Sequence, residues 1–179
     1  RTDIFRVAGR IGYSIWPKKG SFNAHVFDSF QSYTYVTSRD NQQTDILRNI
    51  GYEGRLKNLS RIEASLNQRY TYLTDEFNPT RKDEAKSLEA DSEYTYTALR
   101  VQFQSNPQSL FSFNSQVDMG EFFNGNRYSF ENRITFRIQP KVNLGLDTNF
   151  DHIALPDDYG MANILLVSPR IQYTFNRNL

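Results

Sequence analysis

The chain has 179 residues, with 21 Lys and Arg against 20 Asp and Glu, a formal net charge of +1, and no cysteine. That balance offers no broad field to nucleic acid, and the lack of thiols excludes a disulfide framework or a thiolate metal site. Mean hydropathy is -0.66 although there are 11 Tyr, 14 Phe and 1 Trp; strands with one apolar and one polar face account for such a mixture.

The first strand is expected over about Asp3 to Ile15. Phe5, Val7, Gly9, Ile11, Tyr13 and Ile15 alternate there with Arg6, Ala8, Arg10, Gly12 and Ser14. Trp16-Pro17-Lys18-Lys19-Gly20 reads as a turn. The second strand, about Ser21 to Thr37, carries Phe22, Ala24, Val26, Asp28 and Phe30, then changes parity to Tyr33 and Tyr35, which predicts a bulge near Ser29 to Ser32. Residues 38–43 form a polar connection. The third strand, about Thr44 to Glu53, sets Ile46, Ile50 and Tyr52 on one side, interrupted by Arg48. After a turn at Gly54 to Asn58, the fourth alternates Ile62, Ala64, Leu66, Gln68, Tyr70 and Tyr72 with Arg61, Glu63, Ser65, Asn67, Arg69 and Thr71.

Residues 73–91 make the longest connection, with the composition of a solvated loop and room for a short helix at Lys86 to Ala90. The fifth strand, Ser92 to Gln104, begins with Tyr94 and Tyr96 and shifts parity to Leu99, Val101 and Phe103. Ser105-Asn106-Pro107-Gln108 turns the chain into the cleanest hairpin, Ser109 to Ile138, whose arms meet at Asn124-Gly125-Asn126. A short reversal at 139–141 leads to an eighth strand with Val142, Leu144, Leu146, Thr148 and Phe150 on one side. Residues 151–160 form another loop, and the ninth strand runs from Met161 to Phe175. Pro169 lies in that ninth strand, which calls for a bulge, an irregularity or an edge. The ending Asn176-Arg177-Asn178-Leu179 reads as though another strand follows.

Nine strands, tight turns alternating with longer loops, and aromatics at both strand ends predict an all-β fold: an antiparallel transmembrane β-barrel, of which about nine strands of a larger barrel lie in 1–179. The aromatic girdles would comprise Tyr33, Tyr35, Tyr70, Tyr72, Tyr94, Tyr96 and Tyr128 at one rim, and Trp16, Phe22, Phe103 and Phe175 at the other. Nine is odd, so further strands, of the same polypeptide or else of another chain, are expected to complete the barrel. Lumen-facing positions would carry a charged lattice of Arg6, Arg10, Arg61, Glu63, Arg69, Asp118, Glu131, Arg133, Arg137, Asp147 and Arg170. Within it, Glu131 with Arg133 and Arg61 with Glu63 are expected pairs. His25 and His152 are isolated from other ligands, and the acidic pairs Asp83-Glu84 and Asp157-Asp158 lie in loops, so neither a metal site nor a cofactor is expected. No nucleophile elbow or phosphate loop is present, so no catalytic residue is assigned.

The segments RTDIFRVAGRIGYSIWPK at 1–18, YTYLTDEFNPT at 70–80, FFNGNRYSFENRITFRIQPKVNLGLDTNFDHIALP at 122–156 and LVSPRIQYTFNRNL at 166–179 resemble the C-terminal barrel of a Bacteroidetes outer-membrane family. Its members carry an N-terminal carbohydrate-binding-like domain of family 9 type, and their barrel is a domain of unknown function. The resemblance implies a Gram-negative outer-membrane location, with membrane lipid, lipopolysaccharide and envelope proteins as partners. It implies an anchor or a component of an envelope assembly linked to glycan capture or secretion. A passive pore for small polar solutes and a secreted soluble all-β binding module are the alternatives.

Overall fold

The computed structural model describes residues 3–37, 40–83, 85–138 and 141–175. Among them, nine strands form a single antiparallel sheet: β1 (Ile4–Ile15), β2 (Phe22–Val36), β3 (Gln42–Leu56), β4 (Arg61–Tyr72), β5 (Glu93–Gln104), β6 (Phe111–Phe122), β7 (Gly125–Ile138), β8 (Val142–Ala154) and β9 (Met161–Tyr173). Spatial order follows chain order from β1 to β9, so each strand pairs with its sequence neighbours.

The sheet is therefore all-β and antiparallel, as the alternation predicts, but it is open. β1 and β9 are edges that do not pair with each other. This corrects the barrel expectation, and the transmembrane reading falls with it. An open edge in hydrocarbon would strand its N–H and C=O groups without partners. The outer-membrane location, the lipid and lipopolysaccharide partners, and the anchor function all presuppose a closed barrel, and none of them is supported by an open sheet. No helix among the described residues is long and apolar enough to cross a membrane, a statement about helices alone.

Register explains why the alternation is so regular. β1 pairs with β2 without a break from Ile4↔Val36 to Ile15↔His25. The irregularities of β2 lie against β3, between Phe22 and Ala24 and between Thr34 and Tyr35. The bulge expected at Ser29 to Ser32 is therefore absent. Val26, Asp28 and Phe30 stand on the face of Arg10, while Phe27, Tyr33 and Tyr35 stand on the other. The parity change expected in β5 is absent too: β5 follows β4 in unbroken register from Arg61↔Gln104 to Tyr72↔Glu93. Tyr94 and Tyr96 thus lie on the opposite face from Leu99, Val101 and Phe103.

The hairpin of β6 and β7 turns through Phe123 and Asn124, between the paired residues Phe122 and Gly125. Phe123 has φ 52°, a left-handed conformation unfavourable for a bulky side chain. Its ring compensates by packing 4.8 to 5.4 Å from the rings of Phe77, Tyr94, Tyr96 and Phe122. This cluster belongs to the small apolar core, which sits at one end of the sheet.

The connection 73–91 helps to build that end. It is neither a helix at Lys86 to Ala90 nor wholly solvated: Phe77 and Leu88 form a β-bridge, and Leu88 is 0% exposed. The chain then reaches the β8–β9 connection, where a 3-10 turn spans Asp157–Tyr159. The Lys86 amide donates to the Asp158 carbonyl at 3.0 Å, and the Lys86 ammonium lies 5.4 Å from the centre of the Tyr159 ring. Ile153, Leu155 and Ala162 cluster there with Phe122 and Tyr159. β8 continues to Ala154, so Asp151 is a buried strand residue rather than part of a loop. Residues 139 and 140 of the expected turn 139–141, the expected turn 176–178, part of the loop 38–43, and Glu84 lie outside the described residues.

Three substitutions test this account. Gly120 has φ 149°, and a Cβ there would collide with the Thr97 carbonyl oxygen and the Ala98 backbone, whereas Gly9 has nothing within 4 Å. Gly120→Ala should lower unfolding free energy in urea by about 2 kcal/mol, with Gly9→Ala near neutral. Leu88→Ala should cost about 2 to 3 kcal/mol, with amides of the 73–91 segment losing hydrogen-exchange protection.

Candidate functional site

All eleven residues of the expected charged lattice share one face of the sheet. Cross-strand register carries this face from Arg6 and Arg10 on β1, through Arg61, Glu63 and Arg69 on β4, Asp118 on β6, Glu131, Arg133 and Arg137 on β7, and Asp147 on β8, to Arg170 on β9. Because the sheet is open, this face lines no lumen.

Opposite charges meet mainly across strands. The Arg100 Nε lies 2.6 Å from Asp118 Oδ1, Arg127 Nη2 lies 2.6 Å from Asp151 Oδ1, and Arg133 Nε lies 2.7 Å from Asp147 Oδ1. Arg10 and Asp28 approach to 3.4 Å. Arg61 reaches Glu63 at 2.9 Å and Glu53 at 3.8 Å, and Glu53 also binds Arg55 at 2.6 Å. The expected Glu131–Arg133 pair is displaced by Asp147, which stands directly opposite Arg133. Directly opposed Cβ atoms lie about 5 Å apart, against about 7 Å for same-face neighbours along a strand. The hydrogen bond to Asp147 pushes the Arg133 pKa above its usual range, with Glu131 a smaller Coulombic contributor. Arg55 shifts upward for the same kind of reason, through its bond to Glu53.

Two lattice members bind neutral groups. Arg6 donates to Ser32 Oγ at 2.6 Å, and Arg137 donates to the Pro107 carbonyl at 2.6 Å. The sequence reading missed Asp28, Glu53, Arg55, Arg100, Arg127 and Asp151. Arg100 and Asp118 both alternate with apolar neighbours, so strict parity counting would have recovered that pair. Asp28 and Asp151 were hidden by the supposed bulge and the supposed loop.

The aromatic residues expected as girdles divide between the faces. Tyr33, Tyr35, Tyr70, Tyr72, Phe103 and Tyr128 share the apolar face, and Phe22 joins them through the β2 irregularity. Trp16 and Phe175 lie just beyond β1 and β9 and are exposed. Tyr94 and Tyr96 project instead on the charged face, beneath Phe123. Several rings act as cross-strand or loop ties: Tyr72 donates to Asp91 at 2.7 Å, and Phe103 packs 5.5 Å from Phe113. Desolvation, helped by Glu93, raises the Tyr70 phenol pKa.

Of the depressions that open on the charged face, two border Glu131. One, of about 320 Å³, lies among Arg69, Tyr96, Phe122, Arg127, Ser129 and Glu131. The other, of about 380 Å³, lies among Gln116, Glu131, Arg133, Asp147 and Asn149. Asn149 stands directly opposite Glu131, and Ser129 is two residues from Glu131 on the same face. Ser129 Oγ and Asn149 Oδ1 are buried without hydrogen-bond partners, and Glu131 forms no ion pair among the described residues. Ser129, Glu131 and Asn149 are thus neighbours on this face, and Arg133, the cation next to Glu131 along the strand, is already engaged.

The histidines lie elsewhere. His25 Nδ1 is 2.9 Å from the Tyr52 hydroxyl, and His152 Nδ1 is 2.6 Å from Asn163 Oδ1. Among the described residues no group of three or more His, Cys, Asp or Glu is placed to hold a metal ion.

No family model, curated protein or solved structure matches the chain. The resemblance to the Bacteroidetes family therefore remains an expectation of the sequence.

A double-mutant cycle checks how burial grades the ion pairs. Side-chain exposure is 39% for Arg127 and 12% for Asp151, against 66% for Arg133 and 32% for Asp147. Coupling measured by urea unfolding should be about 2 kcal/mol for Arg127–Asp151 and below about 1 kcal/mol for Arg133–Asp147. Equal couplings would refute the burial argument.

Proposed function

We propose that this chain is an all-β binding module whose charged face recognises a basic group on a partner protein. The observation that carries the reading is the cluster of Glu131, Asn149 and Ser129 between the two depressions. Glu131 supplies an exposed carboxylate, and Asn149 and Ser129 supply buried oxygens without partners among the described residues. A guanidinium or ammonium brings a positive charge and several N–H donors, matching that set. Of the neighbouring arginines, Arg100, Arg127 and Arg133 are each paired with a carboxylate.

The ladder positions the cluster with little freedom. Ser129 faces Asp151 and Glu131 faces Asn149 in successive same-face pairs of the β7–β8 register. A site built on strands is ordered before its ligand arrives, which lowers the entropy lost on binding. The work is that of recognition: holding and orienting a charged group while the remaining pairs keep the face rigid.

Amide chemical shifts, followed during titration with an arginine-containing peptide and with its glutamate counterpart, test the reading. Shifts at Ser129, Glu131 and Asn149 should appear with the basic peptide alone. Glu131→Gln should weaken its binding by at least about tenfold. Equal response to the acidic peptide, or unchanged affinity in Glu131→Gln, would overturn it.

A further inference from the structure

The two edges of the sheet are chemically unequal. The Thr37 amide donates to the Asp3 carbonyl at 2.8 Å, so Asp3 and Thr37 form a hydrogen-bonded pair. Such pairs recur at every second position of an antiparallel ladder. With the register unbroken, odd-numbered residues of β1 turn their backbone groups toward β2. The even-numbered ones, including Arg6, Ala8, Arg10 and Gly12, turn theirs outward.

On β9 the parity is reversed. The Thr174 amide donates to the Lys141 carbonyl at 2.9 Å, and the β8–β9 register runs unbroken from Val142↔Tyr173. Odd-numbered residues of β9 therefore face outward, and Pro169 is one of them. It costs no bond to β8, yet it deletes a donor near the middle of the free edge. Proline at such a position blocks strand addition. β1 has no proline and no register shift, so its outward ladder is complete over Ile4–Ile15.

From this asymmetry we infer that the β1 edge is a docking site for an extended segment of a partner polypeptide, added as an antiparallel strand. The side chains beside the ladder specify its chemistry. Charges on β1 are confined to Arg6 and Arg10 on the polar face, with no acid in the strand. Arg10 is 68% exposed, and its contact with Asp28 is the long one at 3.4 Å. On the apolar face Gly9 lies between Val7 and Ile11, and the space beside it is empty to 4 Å. A large apolar side chain opposite Gly9 would fill that notch, as aromatic residues do opposite strand glycines. The incoming strand thus has a large apolar residue at one position, an acid one position before it, facing Arg10, and an acid three positions after it, facing Arg6. Main-chain bonds supply affinity, and alternate side chains supply selectivity.

A dye-labelled twelve-residue peptide with phenylalanine and glutamate at those positions, and valine or threonine elsewhere, tests the inference against the 179-residue chain. Binding should raise hydrogen-exchange protection at the outward amides of Arg6, Ala8, Arg10 and Gly12, and leave odd-numbered amides of β1 unchanged. Ala8→Pro removes one outward donor and no bond to β2, and should weaken binding about fivefold. Replacing both glutamates by lysine should weaken it about tenfold, with recovery in the Arg6→Glu, Arg10→Glu double variant. Glu131→Gln should leave this peptide's affinity unchanged, which separates the edge from the charged-face cluster. Equal affinity for the lysine peptide, protection appearing at β9, or an intact Ala8→Pro variant with undiminished binding would overturn it. Self-association that protects the same β1 amides without peptide, seen by sedimentation, would also overturn it in favour of a second copy.

Discussion

Cross-strand register is the constraint on which this molecule depends. A strand alternates its side chains with period two, and a one-residue slip would exchange its faces. From β3 to β9 each ladder runs without a register shift. The parity of any one strand therefore sets the parity of the rest. That continuity gathers charges separated by more than a hundred residues onto one surface and leaves the other surface aliphatic and aromatic.

The two surfaces are held together differently. On the charged face, opposed arginines and carboxylates neutralise each other, and amide pairs such as Asn49–Asn67, at 2.8 Å, fill the rows between them. On the apolar face, contacts are largely between neighbours in the plane of the sheet, and Ile11 and Ile171 are 76% and 78% exposed. Polar bonds interrupt even this face: Arg48 donates to Gln68 and Ser115 to Asn132. The buried apolar residues concentrate instead at one end, where the 73–91 connection folds over the strand ends. Order at that end places Phe122, Tyr96 and Ser129 beside the charged-face depressions, and so links a structural cap to a candidate recognition surface.

Much of this was legible from the residues. The hairpin from Ser109 to Ile138 keeps its alternation, although it turns at Phe123 and Asn124 rather than at Asn124-Gly125-Asn126. The misreadings have a shared physical origin. Aromatic residues were counted as markers of the apolar face, yet tyrosine is amphipathic and packs on either face where a loop covers it. Tyr94 and Tyr96 lie on the charged face because Phe77 and Phe123 shelter them, and the Phe27 side of β2 was mistaken because Val26 and Phe30 share a face with Asp28. Glu131 was paired with its nearest sequence neighbour of opposite sign; the residue opposite Arg133 proved to be Asp147, fourteen positions further along the chain.

The sequence by itself determined strand content, the antiparallel order implied by short connections, and the sorting of polar from apolar side chains, because these follow from local periodicity and turn chemistry. It did not determine whether β1 and β9 would meet. Every neighbouring pair reads the same in an open sheet as in a closed one, and closure depends on how twist and stagger accumulate over all the strands. Only the tertiary structure decided that, and with it the existence of two free edges and the side of β9 on which the missing proline donor falls.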